Sequence, residues 1–307
     1  MAWRLLVMFE VFCAADGHTR RLLEVAPAAP EQASPSSSMS ATAPCVWATA
    51  RVANLAWSHC THPTTVDTIV SGDIQTNGCF ECESVAAVLA TMRQQRPSLL
   101  VDIGGNIGMY TAAAATQGHR VHTYEPVPTN AARIRETLRR NRLEQRVTLY
   151  EACLGPAPGW AALGQNATNQ GGIRHELVAS GADPGADRHL VPVVSLDTQP
   201  PPPADLNVFI KMDIEGSECG ALGGAWRFLN ATRVIGVLME WKFVRRNRRC
   251  CATLQRMHTL LHERHRLLPY AWKRGVLAQN SLRRPEQMCR PRGSKVWADD
   301  LLWKKVV

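Results

Sequence analysis

The sequence predicts an α/β fold in which helices pack on both faces of a mostly parallel, doubly wound sheet. Three observations lead to this prediction. The short apolar run 99–103 breaks into a glycine-rich turn at residues 104–108. From there on, strand-like and helix-like segments alternate along the chain. The chain has 307 residues, of which 45% are hydrophobic, so it is long enough and apolar enough to bury the core of one such domain.

The alternation gives the elements in order. The first half of the sheet is expected as a strand at 99–103, a helix at 107–117, a strand at 120–124, a helix at 128–142 and a strand at 146–150. Gly, Pro, Asn and Asp then recur at short intervals, so residues 156–207 are expected to form an active-site insertion. The second half of the sheet is expected as strands at 208–212 and 234–239, a helix at 250–263, and strands at 267–272 and 296–304.

The turn after the first strand is typical of a nucleotide site. Gly104 and Gly108 lack a Cβ, so a ligand can approach the backbone closely, and the next helix offers unpaired N–H groups. Glu125 ends the second strand about 20 residues later, where a carboxylate can accept ribose hydroxyls. The form Asp-x-Gly-x-Asn-x-Gly, with Asp102 and Asn106, favours S-adenosylmethionine over a dinucleotide. The alternative is a turn that only ends a strand and caps a helix.

The chain resembles the FkbM family of S-adenosylmethionine-dependent methyltransferases in five segments, which occur in the family's order. They are 102–108 with Thr111, 124–130, 195–197, 211–218 and 300–303. Segment 211–218, KMDIEGSE, resembles the family's Lys-x-Asp-x-Glu-Gly-x-Glu block and is the most diagnostic. The resemblance covers residues 65–307 and implies the Rossmann-like sheet of a class I methyltransferase, with an antiparallel final strand.

The resemblance also implies how the cofactor would be held. Gly104, Asn106 and Gly108 would lie along the methionine and ribose portions of S-adenosylmethionine, and Asp102 would orient the turn or the ammonium group of the cofactor. Glu125 would accept the ribose hydroxyls. Pro126, together with Tyr124, would flank the adenine. Glu151 follows the third strand and would accept a hydrogen bond from the adenine amine. The alternative for Glu151 is a solvated charge at a strand end.

Carboxylates at the ends of the fourth and fifth strands are the candidate catalytic groups, since ligands of doubly wound folds bind at that edge of the sheet. Asp213 is expected to act as general base on a hydroxyl acceptor, with Glu215 positioning that acceptor and Glu240 contacting it. Binding of Mg²⁺ by these carboxylates is one alternative, although no metal ligand is assigned. A helix N-terminus rich in acids is the other, and it explains Glu218 best.

The resemblance implies methyl transfer to a hydroxyl of a sugar, a glycolipid or another small metabolite. The segment after the fourth strand, Asp-Ile-Glu-Gly, is not the polar-Pro-Pro-aromatic loop that nucleobase amine methylation requires. Within the insertion, Asn169 and Gly172 are the candidate substrate contacts, and His175 and His189 are alternative bases.

The charge distribution suggests two other functions. The net charge is +9, and residues 241–307 alone hold 17 Lys or Arg and four Asp or Glu, so the remainder is net acidic. A basic segment can bind RNA or another polyanion. An RNA methyltransferase and a non-catalytic polyanion-binding module are therefore alternatives, beside a merely solvated surface.

Residues 1–64 lie outside the expected domain. Residues 5–15 superficially fit a signal peptide, interrupted by Glu10, and the Pro-, Ala- and Ser-rich stretch 26–44 is expected to be a disordered tether. The location is therefore either cytoplasmic or, if the leader is a signal, a secretory lumen. Cys79 and Cys82 form the one Cys-x-x-Cys, which is too little for a zinc site; it is incidental or a luminal disulfide. The chain has no apolar run of 18 residues, which excludes a multi-pass membrane protein.

Overall fold

The protein is described from a computed structural model, which covers residues 44–164, 175–178, 189–244, 247–273, 276–278, 285, 288 and 300–305. The described chain begins with an antiparallel hairpin of β1 (Val46–Val52) and β2 (Leu55–Thr61). Helices α1 (Val70–Asn77) and α2 (Cys82–Gln94) follow. Asp67 accepts hydrogen bonds from the Val70 and Ser71 N–H groups and so stabilises the start of α1.

The first half of the central sheet follows the expected order closely. It consists of β3 (Ser98–Ile103), α3 (Met109–Thr116), β4 (Arg120–Tyr124), α4 (Pro128–Asn141) and β5 (Val147–Tyr150). Helix α3 begins at Met109 rather than at residue 107, because Asn106 (φ 50°) and Gly108 (φ 92°) are left-handed and cannot continue a right-handed helix.

The expected insertion contributes to a second sheet. Strands β6 (Cys153–Leu154), β7 (Gly159–Leu163), β8 (His175–Val178) and β9 (Leu190–Val194) pair in the order β6-β9-β7-β8. Inward residues such as Ala161 and Val191 are buried, whereas Trp160 on the opposite face is half exposed. The sequence predicts the breaks in this segment but not its strands, because the strands are four or five residues long and separated by Gly and Pro.

The second half of the central sheet completes the described chain. Its elements are β10 (Asn207–Met212), α5 (Glu218–Gly223), α6 (Trp226–Ala231), β11 (Arg233–Glu240), α7 (Cys251–Glu263), β12 (Leu267–Lys273), β13 (Val276–Ala278) and β14 (Asp300–Lys305).

The central sheet has the strand order β13-β12-β14-β11-β10-β3-β4-β5. Neighbours from β11 to β5 are parallel, whereas β14 pairs antiparallel with β11 and with β12. An α/β fold with a mixed, mostly parallel sheet is therefore confirmed. The chain crosses over between β3 and β10, so the carboxyl ends of these two adjacent strands face a crevice at the switch point of the sheet.

Apolar side chains fill both faces of the sheet. One core joins the sheet to α5, α6 and α7 through residues such as Leu222, Phe228 and Leu254. The other joins it to the hairpin and α1 to α4 through residues such as Trp57, Met92 and Ile134. None of the helices within the described residues is long and apolar enough to cross a membrane.

The hairpin corrects the expected start of the folded domain at residue 65. Trp57 and Cys60 are buried, and the Cys60 N–H donates to Thr137 Oγ1 of α4 at 2.9 Å. Residues 46–61 therefore belong to the folded domain, because α4 satisfies part of their backbone and covers their apolar side chains. Residues 1–43 lie outside the described residues, and they include the expected leader and all but the last residue of the tether expected at 26–44.

Three disulfides join described residues: Cys45–Cys60, Cys79–Cys82 and Cys219–Cys250. The Cys-x-x-Cys of the sequence is thus a disulfide rather than an incidental pair. Cys153 is a free, buried thiol.

Candidate active site

The glycine-rich turn leads from the end of β3 to the start of α3. Gly104 has a φ of 81°, and a Cβ there would overlap with the backbone carbonyl of Asp213 on the neighbouring strand. The N–H groups of Gly104 and Gly105 donate to the Tyr124 carbonyl at 3.0 and 3.1 Å. The turn is therefore held between β10 and β4, and only glycine fits at residue 104.

Lys211 connects the turn to the carboxylates around it. Its Nζ donates to the Gly104 carbonyl at 2.7 Å and lies 3.8 Å from Asp102 Oδ1 and 3.9 Å from Asp213 Oδ2. Burial alone would lower the pKa of Lys211, but the charges of the surrounding carboxylates together outweigh burial and raise the pKa; they belong to Asp213, Asp102, Glu81 and Glu125. The sequence analysis recognised Lys211 within its motif but assigned it no role in the site.

Asp102 is fully buried beneath the turn. Thr111 Oγ1 donates to its Oδ2 at 2.6 Å, and Asp102 lines neither of the clefts described below. Burial raises the pKa of Asp102, while Lys211 and the Thr111 hydroxyl oppose that effect. Its contacts orient the turn, and they leave it no exposed surface.

Glu125 directly follows β4, and its carboxylate is buried. Its Oε2 accepts the Asn106 N–H at 2.7 Å and its Oε1 accepts the Val127 N–H at 2.9 Å. Asn130 Nδ2 lies 3.4 Å from the same Oε1, and Asn130 in turn contacts His62 Nε2 at 2.9 Å. Burial raises the pKa of Glu125 to about 7, although these hydrogen bonds oppose it. Oε2 accepts one of these hydrogen bonds and has a lone pair left for a ligand hydroxyl.

Two adjoining clefts open at this edge of the sheet, and both are lined by Gly104, Glu125, Asp213 and Glu215. The first cleft is otherwise mainly apolar and is lined by Ile103, Tyr124, Pro126, Val127, Ala152, Cys153, Leu154 and Ile214. Tyr124 is supported from behind by Tyr150, whose ring stacks on it with centroids 4.6 Å apart. This lining suits a flat, apolar ring.

The second cleft is more polar. Its other lining residues are Ile69, Val70, Phe80, Glu81, Gly105, Asn106, Ile107, Met109, Tyr110 and Lys211. The Tyr110 hydroxyl donates to Glu81 Oε2 at 2.7 Å, and Lys211 Nζ lies 5.4 Å from the centre of the Tyr110 ring. Burial raises the pKa of Glu81, and the charge of Asp213 raises it further.

Three non-glycine residues of the second cleft have a left-handed backbone. Glu81, Asn106 and Glu215 have φ values of 54°, 50° and 56°. Such residues cost energy and accumulate at functional sites, where the surrounding structure holds them in place. The sequence analysis missed Glu81, Tyr110 and Lys211 as site residues. The signal available for Glu81 was the disulfide-forming Cys-x-x-Cys around it, which fixes a tight turn.

The carboxylates beyond β10 and β11 have different environments. Glu218 is buried, and its Oε1 accepts the N–H groups of Ile214 and Gly216, both at 3.2 Å. Glu218 therefore stabilises the turn that precedes α5, whereas the alternative interpretation expected a favourable interaction with the helix dipole. Glu240 is half-buried and lines neither cleft, and burial together with Asp213 raises its pKa to about 9. Among the described residues, no group of three or more His, Cys, Asp or Glu is arranged to hold a metal ion.

The remaining candidate residues lie away from the clefts or outside the description. Glu151 is exposed and forms an ion pair with Arg135 of α4. Gly108 directly precedes α3, where a Cβ would crowd Ile134. His189 is exposed. Asn169 and Gly172, the expected substrate contacts, lie outside the described residues, as does the side chain of His175.

Comparison with solved structures gives weak similarities. The methyltransferase FkbM from Methylobacillus flagellatus is 21% identical over 67% of this chain and 43% of its own, with a TM-score of 0.40. The present chain therefore spans less than half the length of that protein. An O-methyltransferase from Bacillus cereus in complex with SAH is 15% identical over 72% of this chain and 79% of its own, with a TM-score of 0.38. No curated protein matches the chain.

The family comparison is decisive. The model described as the methyltransferase FkbM domain matches residues 102–268, which is more than half of the chain. The match begins at Asp102 and includes the turn, Glu125 and Asp213. The chain belongs to the FkbM methyltransferase family.

Proposed function

We propose that this protein transfers a methyl group from S-adenosylmethionine to a hydroxyl of a neutral small molecule or glycan. The observation that carries the proposal is the convergence of the turn, Glu125 and Asp213 on two adjoining clefts. The order and directions of the strands suit a Rossmann-like class I methyltransferase sheet with an antiparallel final strand, in which the cofactor binds at this edge.

The residues of the clefts fit the parts of the cofactor. The apolar first cleft, with Tyr124 and Pro126, suits adenine, and Glu125 lies between the clefts, where it would accept ribose hydroxyls. The second cleft would hold the methionine portion, with Asn106 along it and the Glu81 carboxylate available to its ammonium group. When bound, the cofactor supplies an electrophilic methyl group on a sulfonium. Glu151 would reach the adenine amine only by leaving Arg135.

Asp213 is the proposed general base. It lines both clefts, and its side chain is 37% exposed, so an acceptor hydroxyl can reach it. Lys211 Nζ lies 3.9 Å from Asp213 Oδ2. Asp213 would take the proton of the acceptor hydroxyl, and Glu215, which lines the same clefts, would accept a hydrogen bond from the acceptor and orient it.

The charge of the site favours a neutral acceptor. Glu81, Asp213 and Glu215 line the second cleft, where Lys211 is the only Lys or Arg among the described residues of the lining. Carboxylates repel phosphate groups, which opposes an RNA acceptor in these clefts. An RNA-binding role would have to rest on the basic segment 241–307, much of which lies outside the described residues.

The test is transfer of a labelled methyl group to a panel of neutral sugar hydroxyls, with RNA as a parallel acceptor. We expect label on a sugar hydroxyl and none on RNA.

Asp213→Asn should bind the cofactor but lose at least about 100-fold in turnover. Glu144→Gln is the matched control: Glu144 is exposed and lines neither cleft, so an amide there should change the turnover by less than about threefold. Full turnover by Asp213→Asn would remove Asp213 from the mechanism.

A further inference from the structure

The Cys79–Cys82 disulfide closes a very short ring of chain beside the second cleft. The two residues inside the ring, Phe80 and Glu81, both line that cleft. Cys79 is 5% exposed and packs in the core formed by the hairpin and α1 to α4. The bond therefore joins a buried residue, two positions after the end of α1, to the first residue of α2.

Glu81 adopts a backbone conformation that its own chemistry does not favour. Its φ and ψ are 54° and 41°, in the left-handed region, where a long side chain such as Glu is uncommon. It precedes α2, but its side chain makes no capping hydrogen bond there. Local preference therefore does not select this conformation, and an external constraint must hold it.

The conformation places the Glu81 carboxylate inside the cleft. Its Oε2 accepts the Tyr110 hydroxyl at 2.7 Å, and the charges of Asp213, Lys211 and Asp102 act on it. The Glu81 carbonyl also accepts the Val85 N–H at 3.0 Å in the first turn of α2. If residue 81 left the left-handed region, the carboxylate and this helix start would both shift.

We infer that the Cys79–Cys82 disulfide is a positioning element of the cofactor cleft, which holds Glu81 in the left-handed conformation so that its carboxylate faces the bound ligand. This inference rests on the proposed function, since it assigns the second cleft to the methionine portion of S-adenosylmethionine. The disulfide acts through Glu81 and touches no reacting atom.

Two disulfides close loops of different lengths, and this difference distinguishes a positioning role from a stabilising role. Cys79–Cys82 spans three residues of sequence, whereas Cys45–Cys60 spans 15 and lines neither cleft. The entropy that a cross-link removes from the unfolded chain increases with loop length. Loss of Cys79–Cys82 should therefore reduce ligand affinity with little change in stability. Loss of Cys45–Cys60 should reduce stability with little change in ligand affinity.

The experiment compares two double variants, Cys79→Ala/Cys82→Ala and Cys45→Ala/Cys60→Ala, with the wild-type chain. Affinity for S-adenosylhomocysteine is measured by titration calorimetry and the unfolding midpoint by scanning calorimetry. We expect the first variant to bind about tenfold more weakly, because binding must then re-order a left-handed residue. The second should bind as the wild type does and melt at the lower temperature of the two.

A cycle with Glu81→Gln tests whether the disulfide acts through Glu81. Removing Cys79–Cys82 from a Glu81→Gln chain should then change the affinity less than twofold, because interacting positions are not additive. Additive losses would show a merely structural role and overturn the inference, as would unchanged affinity in Cys79→Ala/Cys82→Ala or a larger loss of stability there than in the control. If the wild type itself does not bind, the proposed function fails, and the inference with it.

Discussion

Glu125 carries a buried carboxyl group, and the fold brings its pKa close to neutral pH. Burial raises its pKa to about 7, and ribose hydroxyls would donate to its ionised form. Because the carboxyl group takes up a proton as the pH falls, the ligand must compete with that proton at low pH. Affinity for S-adenosylhomocysteine should therefore fall roughly tenfold between pH 8 and pH 6.

The control for this prediction is Glu125→Gln, which does not titrate. Calorimetric titration of both proteins across this pH range should show a slope for the wild type and a flatter, weaker profile for the variant. Equal pH profiles would mean that Glu125 does not carry the dependence.

Alanine substitutions at Gly104 and Gly118 form a matched pair that tests how closely the glycine-rich turn packs against its neighbours. Both have left-handed backbones, with φ of 81° and 93°. A Cβ at Gly104 would overlap with the Asp213 carbonyl, whereas one at Gly118 would meet only the guanidinium ends of Arg146 and Arg96, at 3.6 and 3.7 Å. Gly118→Ala should cost about 1–2 kcal/mol for the backbone conformation alone.

Gly104→Ala should cost more than Gly118→Ala by at least about 1 kcal/mol, because the overlap involves backbone that cannot move aside easily. Denaturant unfolding of the two variants measures the difference. Equal losses would contradict the close approach of the turn to β10.

The hairpin of β1 and β2 is the element that most changes the expected boundary of the domain. A chain that begins at residue 65 would lack Trp57, which is 4% exposed, and would uncover α4. Loss of such a buried aromatic side chain costs about 3–5 kcal/mol. The melting temperature of the chain that begins at residue 65 should be roughly 10 °C or more below that of a chain beginning at residue 44. Equal melting temperatures would show that the hairpin adds nothing to the fold.

Across the whole molecule, the strongest sequence signals were those in which one residue type is physically required. The turn at 104–108 was predictable because it needs glycine at left-handed positions, and the central strands β3, β10 and β11 because they contain apolar runs. The small sheet was not predictable, since its short strands are interrupted by Gly and Pro. Glu81 and Lys211 were missed as site residues because their roles depend on contacts between distant segments, such as Lys211 Nζ with the Gly104 carbonyl.

The role proposed for the site requires that the chain bind S-adenosylmethionine. Calorimetric titration of the purified chain with S-adenosylmethionine, beside a Glu125→Ala variant, tests this most directly. The account predicts a single site with a Kd of roughly 1–100 μM, weakened at least about tenfold in the variant. Absence of binding by the folded wild-type chain would contradict the account.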